Sequence, residues 1–295
     1  METLKDNLKK INAEVHTVLR ELLPPAEGIE ASLIDAMEYA TLDGGKRLRP
    51  FLVLKTSEMF NVSKDSALRT AAAVEMIHCF SLIHDDLPAM DNADIRRGKP
   101  SCHVQFGEST AILAGDSLQS LAFEVLADEK THSDPRVRVE LVRALAKASG
   151  YQGMSGGQMI DLATENQKLD MGSIIRLLRL KTGELFAFSC ESGAILANTS
   201  AESRHALHAY AHDFGLAFQI VDDLLDETGT EQELGKPTGS SSVLGKATLV
   251  NLLGIDKAKE QARILVNQAI THLDYFDSEA DPLREIAQFI LDRRS

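Results

Sequence analysis

Seven aspartates in two short stretches are the side chains best placed to do chemistry in this 295-residue chain. The first stretch, residues 82–97, reads LIHDDLPAMDNADIRR, so Asp85, Asp86, Asp91 and Asp94 are followed at once by Arg96 and Arg97. The second, residues 218–229, reads FQIVDDLLDETG and carries Asp222, Asp223 and Asp226. Like charges four apart share a helical face and repel by a few tenths of a kcal/mol when exposed. Partly buried, they cost far more unless a cation lies between them. All-oxygen donors suit Mg²⁺, which takes one or two carboxylates per site, keeps waters and completes its shell with substrate phosphate. The one-three-five ligand spacing and central glycine of a calcium loop are missing. Asp85 and Asp91, six apart, would point about 120° away from each other on a straight helix. Pro88 between them predicts a bend that lets them converge.

The cations that would answer these acids come in short, Gly-flanked groups. GGKRLRP (44–50) supplies Lys46, Arg47 and Arg49; residues 95–100 supply Arg96, Arg97 and Lys99. LKTGELF (180–186) supplies Lys181 and Thr182, and LGKPTG (234–239) and LGKAT (244–248) supply Lys236 and Lys246. Glycine lets backbone amides approach an anion closely, and arginine grips phosphate oxygens with two donors at once. GGKRLRP is not a P-loop, since its strand, spacing and following hydroxyl are absent. His78 lies about two turns before Asp85 on nearly the same face, His84 adjoins Asp85 and is placed to orient it, and Gln158 and Asp161 are three apart after a Gly-Gly pair. No nucleophile-base pair of the triad kind stands out.

The elements that must hold these groups read as helices almost throughout. Apolar residues recur at three and four, and alternating runs are nearly absent. Breaks fall at 22–28, at 43–50, at 127–136 and over 227–246; residues 91–110 read as one long loop, and 61–70 as a capped helix start. The pattern predicts roughly ten helices in one all-α domain spanning 1–295, a bundle whose central helices are apolar on more than one face. With 31 basic and 44 acidic residues, the net charge of −13 argues against nucleic acid as a partner. The N-terminus has no cleavable apolar core, and no uninterrupted apolar run reaches the ~20 residues of a membrane span. The three cysteines, Cys79, Cys102 and Cys190, show no paired spacing, which fits a reducing cytoplasm.

Taken in order, the stretches 44–50, 78–100, 156–162, 180–186, 218–226 and 234–248 resemble the trans-isoprenyl diphosphate synthases, most closely the bacterial-type farnesyl diphosphate synthases. The resemblance spans about residues 40–255. It implies a homodimeric all-α bundle around a deep central active-site cavity. The implied reaction is Mg²⁺-dependent condensation of isopentenyl diphosphate with dimethylallyl and then geranyl diphosphate, to farnesyl diphosphate (C15). Gly45, Lys46, Arg49, His78 and Arg97 would hold isopentenyl diphosphate. Arg96, Lys181, Thr182, Gln219, Lys236 and Lys246 would hold the allylic diphosphate. Asp85, Asp91 and Asp222 would ligate metal directly, with Asp86 and Asp226 supporting, around three ions recruited with the substrate. Phe80 and Ser81 would set chain length, and the released diphosphate would accept the final proton. Two departures stand out: Ser241 replaces an acidic residue common in relatives, and Leu249-Val250 replaces Tyr-Pro. A geranyl or geranylgeranyl diphosphate synthase is the neighbouring reading. A non-catalytic partner subunit of a synthase is the reading from a different class, against which both intact acidic motifs count. A terpene cyclase usually lacks the second acidic motif.

Overall fold

The computed structural model describes residues 3–42, 44–228 and 248–292. Lys236, Ser241 and Lys246 lie outside the described residues. The all-α expectation holds: fourteen α-helices occur among the described residues, with only two short strands. The surplus over ten comes from short pieces that periodicity cannot reveal.

Four helices form the interior. They are α3 (Leu48–Met59), α4 (Lys64–Asp85), α10 (Glu184–Leu196) and α11 (Ala201–Thr228). α3 packs on α4 and α10, and α10 packs on α11. Ala71, Ala72, Ala73, Val74, Met76 and Ile77 of α4 are all inaccessible, so this helix is buried around most of its circumference. By length and composition α4 is the one helix among the described residues apolar enough to cross a membrane, but its apolar window is largely buried in the bundle. Outer helices carry one apolar stripe each. α1 (Leu4–Leu22) buries Ile11, Val15 and Leu19 at intervals of four, and α7 (Pro135–Ser149) buries Val137, Leu141 and Leu145 likewise. α2 (Ala31–Leu42) and α6 (Glu108–Ala127) flank α4, and α13 (Ile255–His272) covers α11. α12 (Leu249–Leu253) begins with Leu249 and Val250, both buried, so that departure from the relatives concerns packing, as expected. α14 (Asp281–Leu291) closes the bundle against α3 and α11.

The stretch 91–110 is not one loop. Strands β1 (Ile95–Arg96) and β2 (Lys99–Pro100) form an antiparallel hairpin, and α5 (Cys102–Phe106) follows it. The hairpin's turn is Arg97-Gly98, both at positive φ, and Asn92 ahead of the hairpin takes positive φ as well.

Candidate active site

Each acidic motif sits at or near the C-terminal end of an interior helix. α4 ends at Asp85, and the chain turns back so that the Asp91 amide donates to the Asp85 carbonyl at 2.9 Å. That reversal, at the bend Pro88 predicted, brings the two backbones together, although Asp91 does not itself line the cleft described next. On α11, Asp222 lies one turn after Phe218 and Gln219. Asp85 and Asp222, 137 positions apart, line one cleft of about 770 Å³. Arg49, His78, Arg96, Arg97, Lys181, Thr182 and Gln219 line it too, as do Phe80 and Ser81. Lys46 is exposed and does not line the cleft, while Gly45, half-buried, lies against Arg97: a methyl group on Gly45 would lie 2.9 Å from that guanidinium.

Two acids differ from their neighbours. Asp86 is buried and turned away from the cleft, where both its oxygens accept from Arg96 Nε at 3.0 and 3.1 Å. Burial works against the Arg96 charge, but Asp86 outweighs it and holds the guanidinium above its ordinary range. Asp226 is buried one turn beyond Asp222 and does not line the cleft. His84 is engaged on the side of its helix that faces α6. Its Nε2 meets the Ile112 carbonyl at 3.1 Å and its ring packs edge-on to Phe80, so it clamps α4 to α6 and braces the cleft wall.

The basic side is built on a buried ion pair. Gly44 and Gly45 take positive φ, and Arg47 enters α3 in the left-handed region. The Arg47 guanidinium donates to Glu75 of α4 and to the Thr41 carbonyl, with both charged side chains almost inaccessible. Burial opposes the Arg47 charge, but Glu75 raises its pKa overall. Arg49 lies 4.4 Å above the Phe186 ring, and burial pulls its pKa down to about 10 against the opposing pull of Glu75 and Asp222. His78 is held neutral, pushed well below its ordinary value by burial and then by Arg49 and Arg97.

The far wall comes from α8 (Met154–Ala163) and a π-helical turn, Arg179–Gly183, that joins α9 (Met171–Leu178) to α10. Gly157 lets α8 touch that turn: an added methyl would sit 2.2 Å from the Lys181 amide nitrogen. Asp161 then accepts from Lys181 Nζ at 2.6 Å. Thr182 donates to Gln219 Oε1 at 3.2 Å, and Gln219 Nε2 donates to Asp223 at 3.0 Å. Sequence reasoning singled out Gln158 and Asp161 but gave them no role; the glycine pair before them was the available signal. It missed Met154, Met159 and Leu162, which line the cleft without any distinguishing spacing.

Among the described residues no three His, Cys, Asp or Glu side chains gather closely enough to hold one ion. The donor set still fits Mg²⁺, which needs only one or two carboxylates per ion when phosphate oxygens and water supply the rest. Asp85 and Asp222 line the same cleft with oxygen donors only, as that ion requires.

Comparison with known proteins agrees with this architecture. The polyprenyl synthetase family profile matches residues 30–283. The farnesyl diphosphate synthase of Escherichia coli is 42% identical over 285 residues, covering 95% of each chain. The geranylgeranyl diphosphate synthase of Cyanophora paradoxa is 40% identical, covering 95% of this chain and 93% of its own. The apo crystal structure of an FPP/GFPP synthase from Zymomonas mobilis is 50% identical and superimposes with a TM-score of 0.88 over 98% of both chains. A family profile spanning most of the chain, relatives at 40–50% identity over nearly their full length and a shared helical architecture lead to one conclusion: the chain belongs to the polyprenyl synthetase family.

Proposed function

We propose that this protein is a prenyltransferase that joins isopentenyl diphosphate to dimethylallyl and then geranyl diphosphate, releasing diphosphate and stopping at the C15 product. The observation that carries the reading is the meeting of Asp85 and Asp222 in one cleft whose other walls supply Arg49, His78, Arg97 and Lys181. The costly event is heterolysis of the allylic C–O bond, which needs strong stabilisation of the departing diphosphate. Mg²⁺ held by Asp85, Asp91 and Asp222, with Asp226 behind Asp222, would supply Lewis acidity to that leaving group. Three ions are the number this reading takes over from the resemblance. Lys181 and Arg96 face the allylic diphosphate. Asp161 keeps the Lys181 ammonium in place, and Asp86 fixes Arg96, so Asp86 acts through its arginine rather than on metal. Arg49, Arg97 and neutral His78 hold the second diphosphate, with Gly45 and Lys46 at its rim. The apolar part of the cleft, Phe80, Met154, Met159, Leu162 and Phe218, keeps water from the carbocation while the double bond approaches.

Two further features belong to the same reading. Val104, Ile112 and Leu113 on α5 and α6 are each roughly half exposed, an apolar face suited to a second copy of the chain. All three cysteines are free and buried, which suits the cytoplasm. A longer product is the second reading, favoured by the likeness to the Zymomonas FPP/GFPP synthase and the Cyanophora geranylgeranyl diphosphate synthase. The test incubates the protein with both five-carbon diphosphates and Mg²⁺ and measures product length by mass spectrometry, with and without chelator. C15 product that vanishes with chelator, and turnover lowered by orders of magnitude in Asp85→Ala, are expected. Near-normal turnover in Asp85→Ala with an intact fold would refute the metal role.

A further inference from the structure

Gln158 is a buried polar side chain left without work. It is 7% exposed and lines the cleft, yet neither its Oε1 nor its Nε2 has a hydrogen-bond partner among the described residues. An amide buried in that state costs about 1–3 kcal/mol in a protein interior, so its retention calls for a ligand. Its height in the cleft is fixed from two directions. Gly157 presses α8 against the backbone of Lys181, which puts Gln158 beside the Lys181–Thr182 step. Thr182 is hydrogen-bonded to Gln219, and Gln219 stands three residues, about 4.5 Å, below the Asp222 level. Gln158, Thr182 and Gln219 therefore form a belt of neutral oxygens between the charged mouth and the apolar floor. Gln219 donates its amide hydrogens to Asp223, so it presents its oxygen toward Thr182 and the cleft.

We infer that the Gln158 carbonyl oxygen is a charge-stabilising dipole for the allylic carbocation, facing the carbon from which diphosphate departs. The inference rests on the proposed prenyl transfer. In that step the C–O electron pair leaves with the bridging oxygen and the allylic fragment becomes cationic. The new C–C bond takes its electrons from the isopentenyl double bond, and a proton then leaves to the diphosphate. Gln158 forms and breaks no covalent bond. A neutral dipole suits this position, because it stabilises the cation without trapping it as a covalent adduct and without repelling the diphosphate one turn above.

The test compares two inert probes in the Mg²⁺-loaded protein. One is an allylic thiolodiphosphate, uncharged at carbon; the other is an ammonium diphosphate whose protonated nitrogen stands where the cation develops. Gln158→Leu should weaken the ammonium probe about tenfold while the thiolo probe binds within twofold of wild type, and should lower kcat ten- to a hundredfold with KM nearly unchanged. Gln158→Glu should move the affinity ratio the other way. The ratio cancels any general loss of fold or of diphosphate binding. Equal weakening of both probes would assign Gln158 to the diphosphate and overturn the inference, as would an unchanged ratio in both variants. If the wild-type protein binds neither probe, the prenyl-transfer reading itself falls, and the inference with it.

Discussion

Replacing Glu75 by glutamine removes one charge from the interior while keeping its shape. Glu75 and Arg47 are respectively 2% and 1% exposed at their side chains, so solvent cannot make good the loss. Arg47 would keep the Thr41 carbonyl but lose its counter-ion, and Arg49, already pulled down to about 10, would lose one of the groups holding it up. Breaking a buried pair from one side costs about 3–5 kcal/mol; the isosteric amide leaves no cavity to add to it. At about 2–4 °C per kcal/mol for a chain of this size, the melting temperature should fall by roughly 6–20 °C. The assay is urea unfolding followed by circular dichroism, at fixed protomer concentration because assembly would shift the apparent stability. Lys46 and Arg49 flank Arg47 in the chain, so KM for isopentenyl diphosphate should rise more than kcat falls. Arg47→Met combined with Glu75→Leu should recover most of the stability but not that KM, since apolar side chains of similar volume satisfy a buried site. A Glu75→Gln protein within about 1 kcal/mol of wild type, or a double variant less stable than the single, would refute the account.

Phe80 lies five residues before Asp85, about 7.5 Å down α4, with its ring braced by His84; Phe80→Ala should lengthen the product beyond C15, and unchanged product by mass spectrometry would count against a floor there. Gly157→Ala would set a methyl 2.2 Å from the Lys181 nitrogen and 2.5 Å from its Cα, so thermal unfolding should show a loss of about 1–3 kcal/mol from overpacking, with a drop in kcat. His212 is pressed to about 3 by burial and then by His208, Arg179 and Lys147. Its proton is taken up on unfolding, so its contribution to stability is present above about pH 6.5 and is lost as pH falls toward about 3. His208, raised mainly by its hydrogen bond to Glu191, works in the opposite sense: its contribution is present below about pH 6.5 and lost as pH rises through its folded value. His212→Asn should therefore flatten the acid limb of a urea-midpoint profile, and an unchanged limb would show that His212 does not titrate as described.

The interior helices were legible because burial on several faces leaves an unmistakable run, as in residues 71–77 of α4. The cleft acids Asp85 and Asp222 were legible because carboxylates at the end of an apolar run are costly unless a cation answers them. What the sequence hid were choices made across space. Nothing at Asp86 distinguishes it from Asp85, yet one faces the cleft and the other faces Arg96, because the helix ends between them. Glu75 reads as an ordinary polar interruption until Arg47 arrives from another helix. The hairpin at 95–100 was hidden because its strands are two residues each, too short to show alternation, and its turn is Arg97-Gly98 rather than the asparagine-glycine or aspartate-glycine pair that announces one.

The wide turn at Arg179–Gly183 makes this wall of the cleft sensitive to length rather than to composition. A regular helix advances about 100° with each residue, and a π-turn absorbs one residue without that advance. Deleting a single position there would leave an unbroken rod in which everything upstream is swivelled by roughly that angle about its own axis. Lys181 would then swing off Asp161, and Gly157 would lose its seat. Indels in this segment behave as errors of phase, so natural variation across it should run through exchange of side chains at constant chain count.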